Sequence, residues 1–501
     1  TGGIMRKISH FIDGKIYTNS KLETSPVFNP ATGEQIAEVE LADIETTKLA
    51  INSSVKAQVT WSKTTPIARS RILSKYKDLL IKNHENLAKA VSQEHGKTIP
   101  DAKGSVQRGI EVVEFAIGIP ELLKGDHSAN VGTNVDSFNM RQPIGVCAGI
   151  TPFNFPAMVP MWMYPVAIAC GNTFVLKPSE KDPTCPIMLA ELAIEAGFPK
   201  GVLNVVNGNK VSVDALLEDQ NVKAISFVGS SPVAEYIYHT GTKNNKRVQA
   251  LGGAKNHMIV MPDADIAKTT DAIIGSAFGS AGERCMAISV AVCVGKETSE
   301  KLKENLLKET AKLKVGPYTD ENSDYGPLNT KAHYEKVLNY ISIGEKEGAK
   351  LIMDGRKIKL QGYENGYFLG PCIFDDVKPN MAIYKEEIFG PVLSIVNVEK
   401  YNEALKLVDD HELGNGAAIF TKSGNIAKHF TENAQAGMVG VNVPIPVPVA
   451  YHSFGGWKKS LYGDHAMHGP EGVRFYTKLK TATITWVEDN AGPEFTLPVL
   501  S

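Results

Sequence analysis

Short apolar runs alternate with longer amphipathic stretches along most of this chain. Most of the runs are apolar at every position, which is typical of parallel strands covered on both faces. Helical stretches between such strands indicate an α/β architecture. The predicted strands are 145–150, 173–177, 202–206, 224–228, 258–261, 289–295, 392–398, 417–420 and 438–443, and the predicted helices include 69–95, 185–196 and 300–314.

Three segments depart from this pattern. Polar and apolar residues alternate in 135–140 and 475–486, as they do in solvated antiparallel strands. We interpret these two segments as a small separate sheet at a subunit contact, although the pattern fits ordinary edge strands of the main domains equally well. Within 443–448 every second residue is proline, which predicts a stiff, extended loop.

The size and composition of the chain are typical of a globular enzyme. Its 501 residues are too many for one core, and about three domains are expected. A net charge of -2 argues against nucleic acid as the main partner. The longest apolar stretch, 158–169, is short for a membrane span and contains prolines. The six cysteines are scattered without paired spacing, which indicates a reducing compartment and no structural zinc.

Cys285 is the most distinctive candidate for chemistry. It follows the charged pair Glu283 and Arg284 in a turn-like segment, whereas Cys293 lies inside an apolar run, as a packing cysteine does. A thiol in such a turn can meet a substrate, and the adjacent guanidinium can favour the thiolate. This contrast makes Cys285 a candidate nucleophile, and a structural cysteine is the alternative until the rest of the chain is considered.

Five further motifs occur in a fixed order around this cysteine. They are Thr151-Pro152-Phe153-Asn154-Phe155-Pro156, Lys177-Pro178-Ser179-Glu180, Phe227-Val228-Gly229-Ser230, Glu386-Glu387-Ile388-Phe389-Gly390-Pro391-Val392 and Ser453-Phe454-Gly455-Gly456-Trp457-Lys458-Lys459-Ser460. The ordered set resembles the aldehyde dehydrogenase superfamily, from about His10 to Trp486. With Gly253-Ala254-Lys255-Asn256-His257 upstream, the cysteine segment most resembles the methylmalonate-semialdehyde dehydrogenase branch.

The resemblance implies the fold and its division into domains. The expected fold is aldehyde dehydrogenase-like α/β, with two doubly wound α/β domains and a small β extension for oligomerisation. The implied NAD-binding domain comprises 6–125 and 145–253, the catalytic domain 254–457, and the extension 126–144 and 458–486. The tail, 487–501, has no assignable role. Relatives of this kind form dimers or dimers of dimers, which implies a homotetramer here.

The resemblance also implies NAD as cofactor, without a metal. A standard Gly-x-Gly-x-x-Gly turn is absent, but Gly229 and Ser230 lie at a strand-to-helix turn where free N–H groups can face the pyrophosphate. Lys177 and Glu180 would hold the adenosine ribose, unless they are a solvated loop pair. A carboxylate there favours NAD over NADP. The implied cofactor-binding residues are Thr151, Phe153, Lys177, Glu180, Lys181, Gly229, Ser230, Gly252, Glu387 and Phe389.

By the same resemblance, Glu387 binds the nicotinamide ribose, with Phe389 packed behind it; core packing is the alternative for Phe389. Thiolate attack on an aldehyde creates an oxyanion that needs preorganised donors. The resemblance assigns this task to the Asn154 side-chain amide and the Cys285 backbone N–H. A simple turn residue is the alternative for Asn154.

One position departs from hydrolytic relatives. Leu251 stands at or beside the place of their water-activating glutamate, and no carboxylate occurs from Val248 to Met261. A thiol needs less activation than water, because part of it is already thiolate at neutral pH. Coenzyme A is therefore the expected acyl acceptor. Asp464 and His465 could supply a weak base or belong to a surface loop.

Two arginines indicate the substrate class. The branch places guanidinium groups at the positions of Arg108 and Arg284, where they face a substrate carboxylate, and guanidinium binds carboxylate in a bidentate manner. The alternatives are an ion pair of Arg108 with Glu111 or Glu114, and a structural contact of Arg284 with a carbonyl. A carboxylate β to a thioester carbonyl can leave as CO2, so propionyl-CoA or acetyl-CoA is the implied product.

The leading hypothesis is thus an NAD-dependent, CoA-acylating methylmalonate or malonate semialdehyde dehydrogenase. The alternatives are a hydrolytic aldehyde dehydrogenase that yields a free acid and an inactive member with a binding or structural role. The expected partners are the small-molecule substrate and coenzyme A, not nucleic acid or membrane. The expected location is the cytoplasm, or the mitochondrial matrix if a transit peptide was removed, and valine and inositol breakdown both fit.

Overall fold

In the computed structural model, residues 5–486 are described, together with Pro493, Phe495 and Thr496. The rest of the tail, 487–501, lies outside the described residues. Two large sheets dominate this part of the chain, which agrees with the predicted α/β architecture. None of the described helices is both long and apolar enough to cross a membrane.

The first large sheet has eight strands. Its five inner strands are parallel and its outer neighbours pair antiparallel. Two central strands are buried along their whole length, because helices cover both faces. The strand order is Leu461–Tyr462, Arg247–Leu251, Val222–Val228, Val146–Ile150, Thr173–Lys177, Leu203–Val205, His10–Ile12 and Lys15–Tyr17.

The second large sheet has seven strands and is parallel except at one edge. Its order is Lys350–Met353, Cys372–Asp375, Val392–Val398, Ile288–Val294, Asn256–Val260, Gly416–Phe420 and Met438–Val441. Each large sheet is packed in a hydrophobic core. Two smaller sheets contain Arg6–Ile8, Gln35–Glu40 and Thr24–Phe28 in one case, and Leu413–Gly414 and Trp457–Lys458 in the other.

The helices lie mainly between the strands, as predicted. They are Ile44–Trp61, Pro66–Lys82, His84–His95, Ile99–Ile117, Ile119–Leu122, Met158–Ala169, Thr184–Ala196, Lys210–Glu218, Ser231–Lys243, Ile266–Phe278, Lys296–Thr310, Lys331–Lys346, Ala382–Lys385, Tyr401–Asp410, Gly424–Asn433 and Gly469–Phe475, with a 3-10 turn at Gly279–Gly282. The apolar stretch 158–169 is one of them, and all of its residues are buried.

One helix prediction was wrong. The stretch predicted as a single helix, 69–95, forms two helices that meet at Asn83. Asn83 adopts φ -100° and ψ 14°, and its side-chain amide donates a hydrogen bond to the carbonyl oxygen of Leu79 (2.8 Å). An asparagine amide that binds the preceding turn in this way competes with helix continuation.

The two alternating segments do form a small sheet of their own. Thr477–Thr485 pairs antiparallel with Val135–Pro143, which also pairs with His127–Gly132. Phe475 and Tyr476 were predicted to begin the strand but instead end the helix before it, and both are buried. The subunit contact at this sheet stays a prediction. So do the domain boundaries, although Leu461–Tyr462 joins the edge of the eight-stranded sheet.

The two large sheets present opposite strand ends to the predicted site. Thr151, Gly229 and Gly252 each follow the carboxyl end of a parallel strand in the eight-stranded sheet. Ligands of open α/β sheets bind outside such carboxyl ends. Cys285 and Glu387, in contrast, precede the amino ends of strands in the seven-stranded sheet. The predicted cofactor and nucleophile residues therefore come from different sheets.

Candidate active site

Cys285 opens onto two separate cavities. One has a volume of about 320 Å³ and lies toward the eight-stranded sheet. The other has a volume of about 250 Å³ and is lined mainly by apolar side chains. We call them the cofactor cleft and the substrate cavity. A thiol on the wall of both can contact a ligand in either one.

Most of the predicted cofactor residues line the cofactor cleft. Those that do are Phe153, Gly229, Ser230, Gly252, Glu387 and Phe389, together with Asn154 and Cys285. The sequence did not predict Lys336 and His333, which come from the helix Lys331–Lys346 and also line the cleft. The remaining lining residues are Pro152, Val228, Gly253 and Ile388.

The other predicted cofactor residues lie beside the cleft rather than on its wall. The backbone N–H of Thr151 donates to the carbonyl of Lys177 (3.2 Å), so these residues are neighbours at adjacent strand ends. The Lys177 ammonium donates to the carbonyls of Pro178 (2.6 Å) and Gly208 (2.8 Å), which leaves it one further donor. Burial lowers the pKa of this ammonium.

Glu180 lies 3.9 Å from the Lys177 ammonium, measured from its Oε2 atom, and its side chain is about a quarter exposed. A ribose hydroxyl could therefore reach both groups. Lys181 is exposed, and its backbone N–H donates to the Ser179 hydroxyl (3.2 Å). The roles of these residues stay predictions.

One expectation about the phosphate turn was wrong. The N–H of Gly229 is not free, because it donates to the carbonyl of Leu251 (3.0 Å) and so continues the pairing of the two strands. The free amides are those at the start of the helix Ser231–Lys243, where Ser230 is the N-cap. The N–H groups of Ser231 and Val233 have no acceptor among the described residues. A helix start of this kind suits a pyrophosphate.

Glycines allow close approach to this end of the cleft. A Cβ atom at Gly252 would lie 2.5 Å from the Lys459 carbonyl oxygen, and one at Gly253 would lie 2.8 Å from the Glu387 carboxylate. At these two positions the backbone itself lines the cleft, because a side chain would meet neighbouring protein atoms. Together with the free helix start, this wall fits an extended dinucleotide.

Glu387 is half-buried in the cleft and accepts a hydrogen bond from the Ala254 N–H (2.7 Å). Burial raises the pKa of its carboxyl to about 7, although the Ala254 N–H and the Lys255 ammonium act in the opposite direction. Phe389 adopts a positive φ of 59°, a strained conformation for a bulky residue. His333 donates from Nε2 to the Phe389 carbonyl (2.6 Å) and holds it there.

The substrate cavity combines an apolar wall with two guanidinium groups. Both predicted substrate arginines, Arg108 and Arg284, line it beside Cys285. Part of the wall comes from the Pro-rich segment 443–448, predicted only as a loop. The other lining residues are Asp101, Gly104, Ser105, Phe155, Met158, Trp162, Met286, Ile445, Val447 and Phe454.

Arg284 forms an ion pair that the sequence analysis missed. Its Nη2 atom lies 2.9 Å from Oδ1 of Asp101, and both side chains are partly exposed to the cavity. Its guanidinium also lies against Gly279, where a Cβ atom would be 2.8 Å from Nη1. Arg284 therefore contacts a carboxylate and not a main-chain carbonyl, which was the structural alternative for this residue. The other guanidinium edge can still meet a substrate carboxylate.

Arg108 does not form the alternative ion pair on its helix. Glu114 pairs instead with Lys77 (3.3 Å), and no ion pair joins Arg108 to Glu111 among the described residues. The Arg108 Nη1 atom lies 3.5 Å from the Pro448 carbonyl, a long hydrogen bond. The guanidinium is therefore only weakly engaged by the protein.

Two asparagines fix the main chain of the nucleophile. The carbonyl of Cys285 accepts hydrogen bonds from the side-chain amides of Asn256 (2.9 Å) and Asn415 (3.1 Å). The preceding residues Ser280 and Ala281 have positive φ values of 54° and 55°, which is a strained left-handed turn. The fold thus holds the main chain of Cys285 in place by contacts from two distant segments.

Arg284 lowers the pKa of the Cys285 thiol, as expected, but burial and Glu387 outweigh this effect. Burial raises the pKa of the Cys285 thiol to about 12, and the Glu387 charge raises it further. The backbone N–H groups of Cys285 and Met286 lower it, and Arg284 contributes least because its guanidinium is paired with Asp101. The resting thiol is therefore protonated at neutral pH.

Leu251 offers no replacement for a catalytic carboxylate. Its side chain is buried and lines neither cavity. Asp464 and His465 line neither cavity, and the His465 ring packs on Phe475 at 5.5 Å between centroids. Among the lining residues, the carboxylates are Glu387 in the cofactor cleft and Asp101 in the substrate cavity.

Several site residues were missed because their contacts are distant in sequence. Asn256 lay inside a quoted motif but carried no role, and Asn415, His333 and Lys336 belong to no recognised motif. Asp101 stands near the start of a helix, where an acidic residue usually serves the helix itself. Within residues 5–486, no group of three or more His, Cys, Asp or Glu is arranged to hold a metal ion.

The family model described as aldehyde dehydrogenase family matches residues 17–482 of this chain. A malonate-semialdehyde dehydrogenase of Pseudomonas aeruginosa is 54% identical over 498 residues, which cover 99% of this chain and 100% of that protein. A malonate-semialdehyde dehydrogenase of Halalkalibacterium halodurans is 50% identical, with 96% of this chain and 98% of that protein covered.

Two solved structures are also similar to this chain over nearly its whole length. The methylmalonate-semialdehyde dehydrogenase of Oceanimonas doudoroffii superposes with a TM-score of 0.96 at 53% identity, over 97% of this chain and 99% of its own. A Sinorhizobium meliloti protein, provisionally described as a methylmalonate-semialdehyde dehydrogenase and solved in complex with NAD, also has a TM-score of 0.96. It is 54% identical, again with 97% and 99% coverage.

Proposed function

The chain belongs to the aldehyde dehydrogenase family, and from this premise we propose that it is an NAD-dependent malonate or methylmalonate semialdehyde dehydrogenase that transfers the acyl group to coenzyme A. The relatives named above carry these two substrate names. The resemblance covers nearly the whole chain, so it includes both cavities and the residues between them.

One observation carries the proposal. The thiol of Cys285 lies where the cofactor cleft meets a cavity that contains two guanidinium groups. A semialdehyde with a carboxylate can place this group on Arg108 and Arg284 while its aldehyde carbon reaches the sulfur. An aldehyde without a carboxylate would leave both guanidinium groups unused.

Attack of the Cys285 sulfur on the aldehyde carbon produces a tetrahedral adduct with an oxyanion. The Asn154 side-chain amide and the Cys285 backbone N–H are the donors proposed for it. Asn154 lines the cofactor cleft beside the thiol, and its amide makes no hydrogen bond to another described residue. It is therefore available to the oxyanion.

NAD, when bound, supplies the acceptor for the hydride that the adduct loses. In this chain the start of the helix Ser231–Lys243 would hold its pyrophosphate, and Lys177 with Glu180 its adenosine ribose. Glu387 would hold the second ribose. The glycine wall at Gly252 and Gly253 supports this assignment because it admits close approach.

Release of the acyl group by coenzyme A is proposed because the site offers no resident base at Leu251. The attacking thiol replaces Cys285 on the acyl carbon and returns its sulfur free. Since both proposed substrates carry a carboxylate β to that carbon, CO2 is lost before release. Malonate semialdehyde then yields acetyl-CoA and methylmalonate semialdehyde yields propionyl-CoA.

The test is a product analysis with each semialdehyde, in the presence and absence of coenzyme A. We expect one NADH and one acyl-CoA for each aldehyde consumed, with little turnover when coenzyme A is omitted. Free acid as the sole product with coenzyme A in excess would disprove the release step. Absence of NADH formation with both semialdehydes would disprove the proposed substrates.

We also propose a cytoplasmic homotetramer. The six cysteines, all within the described residues, form no disulfide, and five of them are buried, which suits a reducing compartment. The strand Thr477–Thr485 lies at the edge of the small sheet and is largely exposed, as a strand available to another subunit would be. Sedimentation analysis of the full chain tests the assembly, since a monomer at all concentrations would contradict it.

A further inference from the structure

Lys97 is an ammonium group buried directly behind the site. It lies in the link between the helices His84–His95 and Ile99–Ile117, and only 1% of its surface is exposed. Its Nζ atom donates a hydrogen bond to the main-chain carbonyl of Asn154 (2.7 Å). The same atom lies 4.0 Å from the centre of the Phe155 ring. Lys97 lines neither cavity, so it contacts neither ligand directly.

A buried ammonium is costly and needs compensation. Removing such a charge from water costs several kcal/mol even after the protein relaxes, which partners must offset. Burial lowers the pKa of Lys97 to about 8, while the charges of Asp101, Asp182 and Glu283 act in the opposite direction. The group is therefore largely protonated at neutral pH. An apolar side chain would fill the space at lower cost, which indicates that the charge serves a purpose.

Few other contacts hold Asn154, the residue whose carbonyl accepts the Lys97 hydrogen bond. Asn154 lies in a segment without regular secondary structure, after the strand Val146–Ile150. Its Oδ1 atom is buried and has no hydrogen-bond partner among the described residues. The orientation of its side chain is thus set by its main chain, and Lys97 fixes that main chain at the carbonyl.

We propose that Lys97 is a positioning residue for oxyanion stabilisation, which acts by holding the Asn154 main chain so that its side-chain amide faces the carbon attacked by Cys285. Glu283, which is two residues before the nucleophile, belongs to the same buried group and connects it to the nucleophile turn. The inference rests on the proposed function, since the oxyanion arises only when the thiol adds to an aldehyde.

The experiment measures the pre-steady-state rate of NADH formation with propanal, which has no carboxylate and so avoids Arg108 and Arg284. Lys97→Met keeps most of the unbranched side chain but removes the donor and the charge. We expect the rate at saturating propanal to fall about ten- to hundredfold, with the KM for propanal and the affinity for NAD changed by less than about twofold.

A double-mutant cycle with Asn154→Ala separates positioning from general damage. If Lys97 acts through Asn154, then Lys97→Met lowers the rate of the Asn154→Ala enzyme by less than about twofold. Full additivity of the two losses would overturn the proposal. Lys103→Met is the matched control, because Lys103 is partly exposed on the adjacent helix and its one ion pair among the described residues is with Glu85 (3.2 Å). We expect it to leave the rate unchanged.

Lys97→Met could fail to fold, since it leaves acidic groups without their cation. In that case Lys97→Gln replaces it in the same cycle: it keeps a polar donor in the cluster but is too short to reach the Asn154 carbonyl. Additive losses in that cycle overturn the proposal in the same way. A wild-type enzyme that forms no NADH with any aldehyde would instead refute the proposed function.

Discussion

The two cavities that meet at Cys285 are built in different ways. The cofactor cleft is formed largely by turns at strand ends, where glycines at 252 and 253 let the backbone make the wall. The substrate cavity is formed by side chains from two helices, the nucleophile turn and the loop 443–448. Bare backbone thus shapes part of the cofactor cleft, whereas side chains shape nearly all of the substrate cavity. Substitutions in the substrate cavity should therefore change specificity without loss of cofactor binding.

The largest expected effect comes from the residue that both cavities share. Cys285→Ser replaces the thiol by a much weaker nucleophile, so we expect NADH formation to fall by a factor on the order of 10⁴ or more. Because the other residues that line the cofactor cleft are unchanged, NAD affinity should stay within about twofold of the wild type. Stopped-flow absorbance and calorimetry measure the two quantities. Unchanged turnover would show that another residue is the nucleophile.

The contrast between the cavities also explains what the sequence could predict. Parallel strands were recognisable because they are apolar at every position, and residues such as Gly229 and Gly252 follow their ends in motifs of fixed spacing. Cys285 was recognisable by its polar neighbours. These features depend on residues that are close together in the sequence, so a local pattern is enough to locate them.

The missed features depend on contacts between distant segments. The Asp101–Arg284 pair joins residues 183 positions apart, and Asn415 reaches Cys285 from 130 positions away. No spacing rule links such residues. The raised pKa of the Cys285 thiol was missed for the same reason, because the sequence shows the adjacent guanidinium but not the burial or the nearby Glu387. The break at Asn83 was missed for a different reason, because it depends on one local side-chain hydrogen bond within an otherwise helical pattern.

The next prediction concerns the boundary between the cavities. Asn154→Ala removes the proposed amide donor, and loss of one such donor typically lowers the rate by about 10²–10³. The loss should be the same for propanal and for a carboxylated semialdehyde, since the oxyanion is common to both. Single-turnover rates with the two aldehydes check this expectation. A loss confined to the semialdehyde would instead assign Asn154 to the substrate cavity.

A smaller and selective effect is expected within the substrate cavity. Arg284→Ala removes a charged donor, which should lower kcat/KM for malonate semialdehyde roughly ten- to hundredfold. Propanal makes no such contact, so its kcat/KM should change by less than about threefold. Arg108→Ala should show the same selectivity. Equal losses for both aldehydes would indicate that the arginine supports the fold rather than the substrate.

The smallest expected effect tests whether the position of the guanidinium matters as well as its presence. In Gly279→Ala the new Cβ would lie 2.8 Å from Nη1 of Arg284, so the guanidinium must move away from its present place beside Asp101. The backbone of Gly279 has a φ of -54°, which alanine adopts without strain. We expect the KM for malonate semialdehyde to rise about three- to tenfold, as a displaced but not deleted charged contact predicts. Parallel kinetics with propanal should show no change, and Gly275→Ala, where a Cβ meets open space on the preceding helix, is the matched control. A rise in KM for both aldehydes would mean that the substitution disturbs the nucleophile turn itself. The side chains of the substrate cavity could then not be changed independently of the backbone beside Cys285.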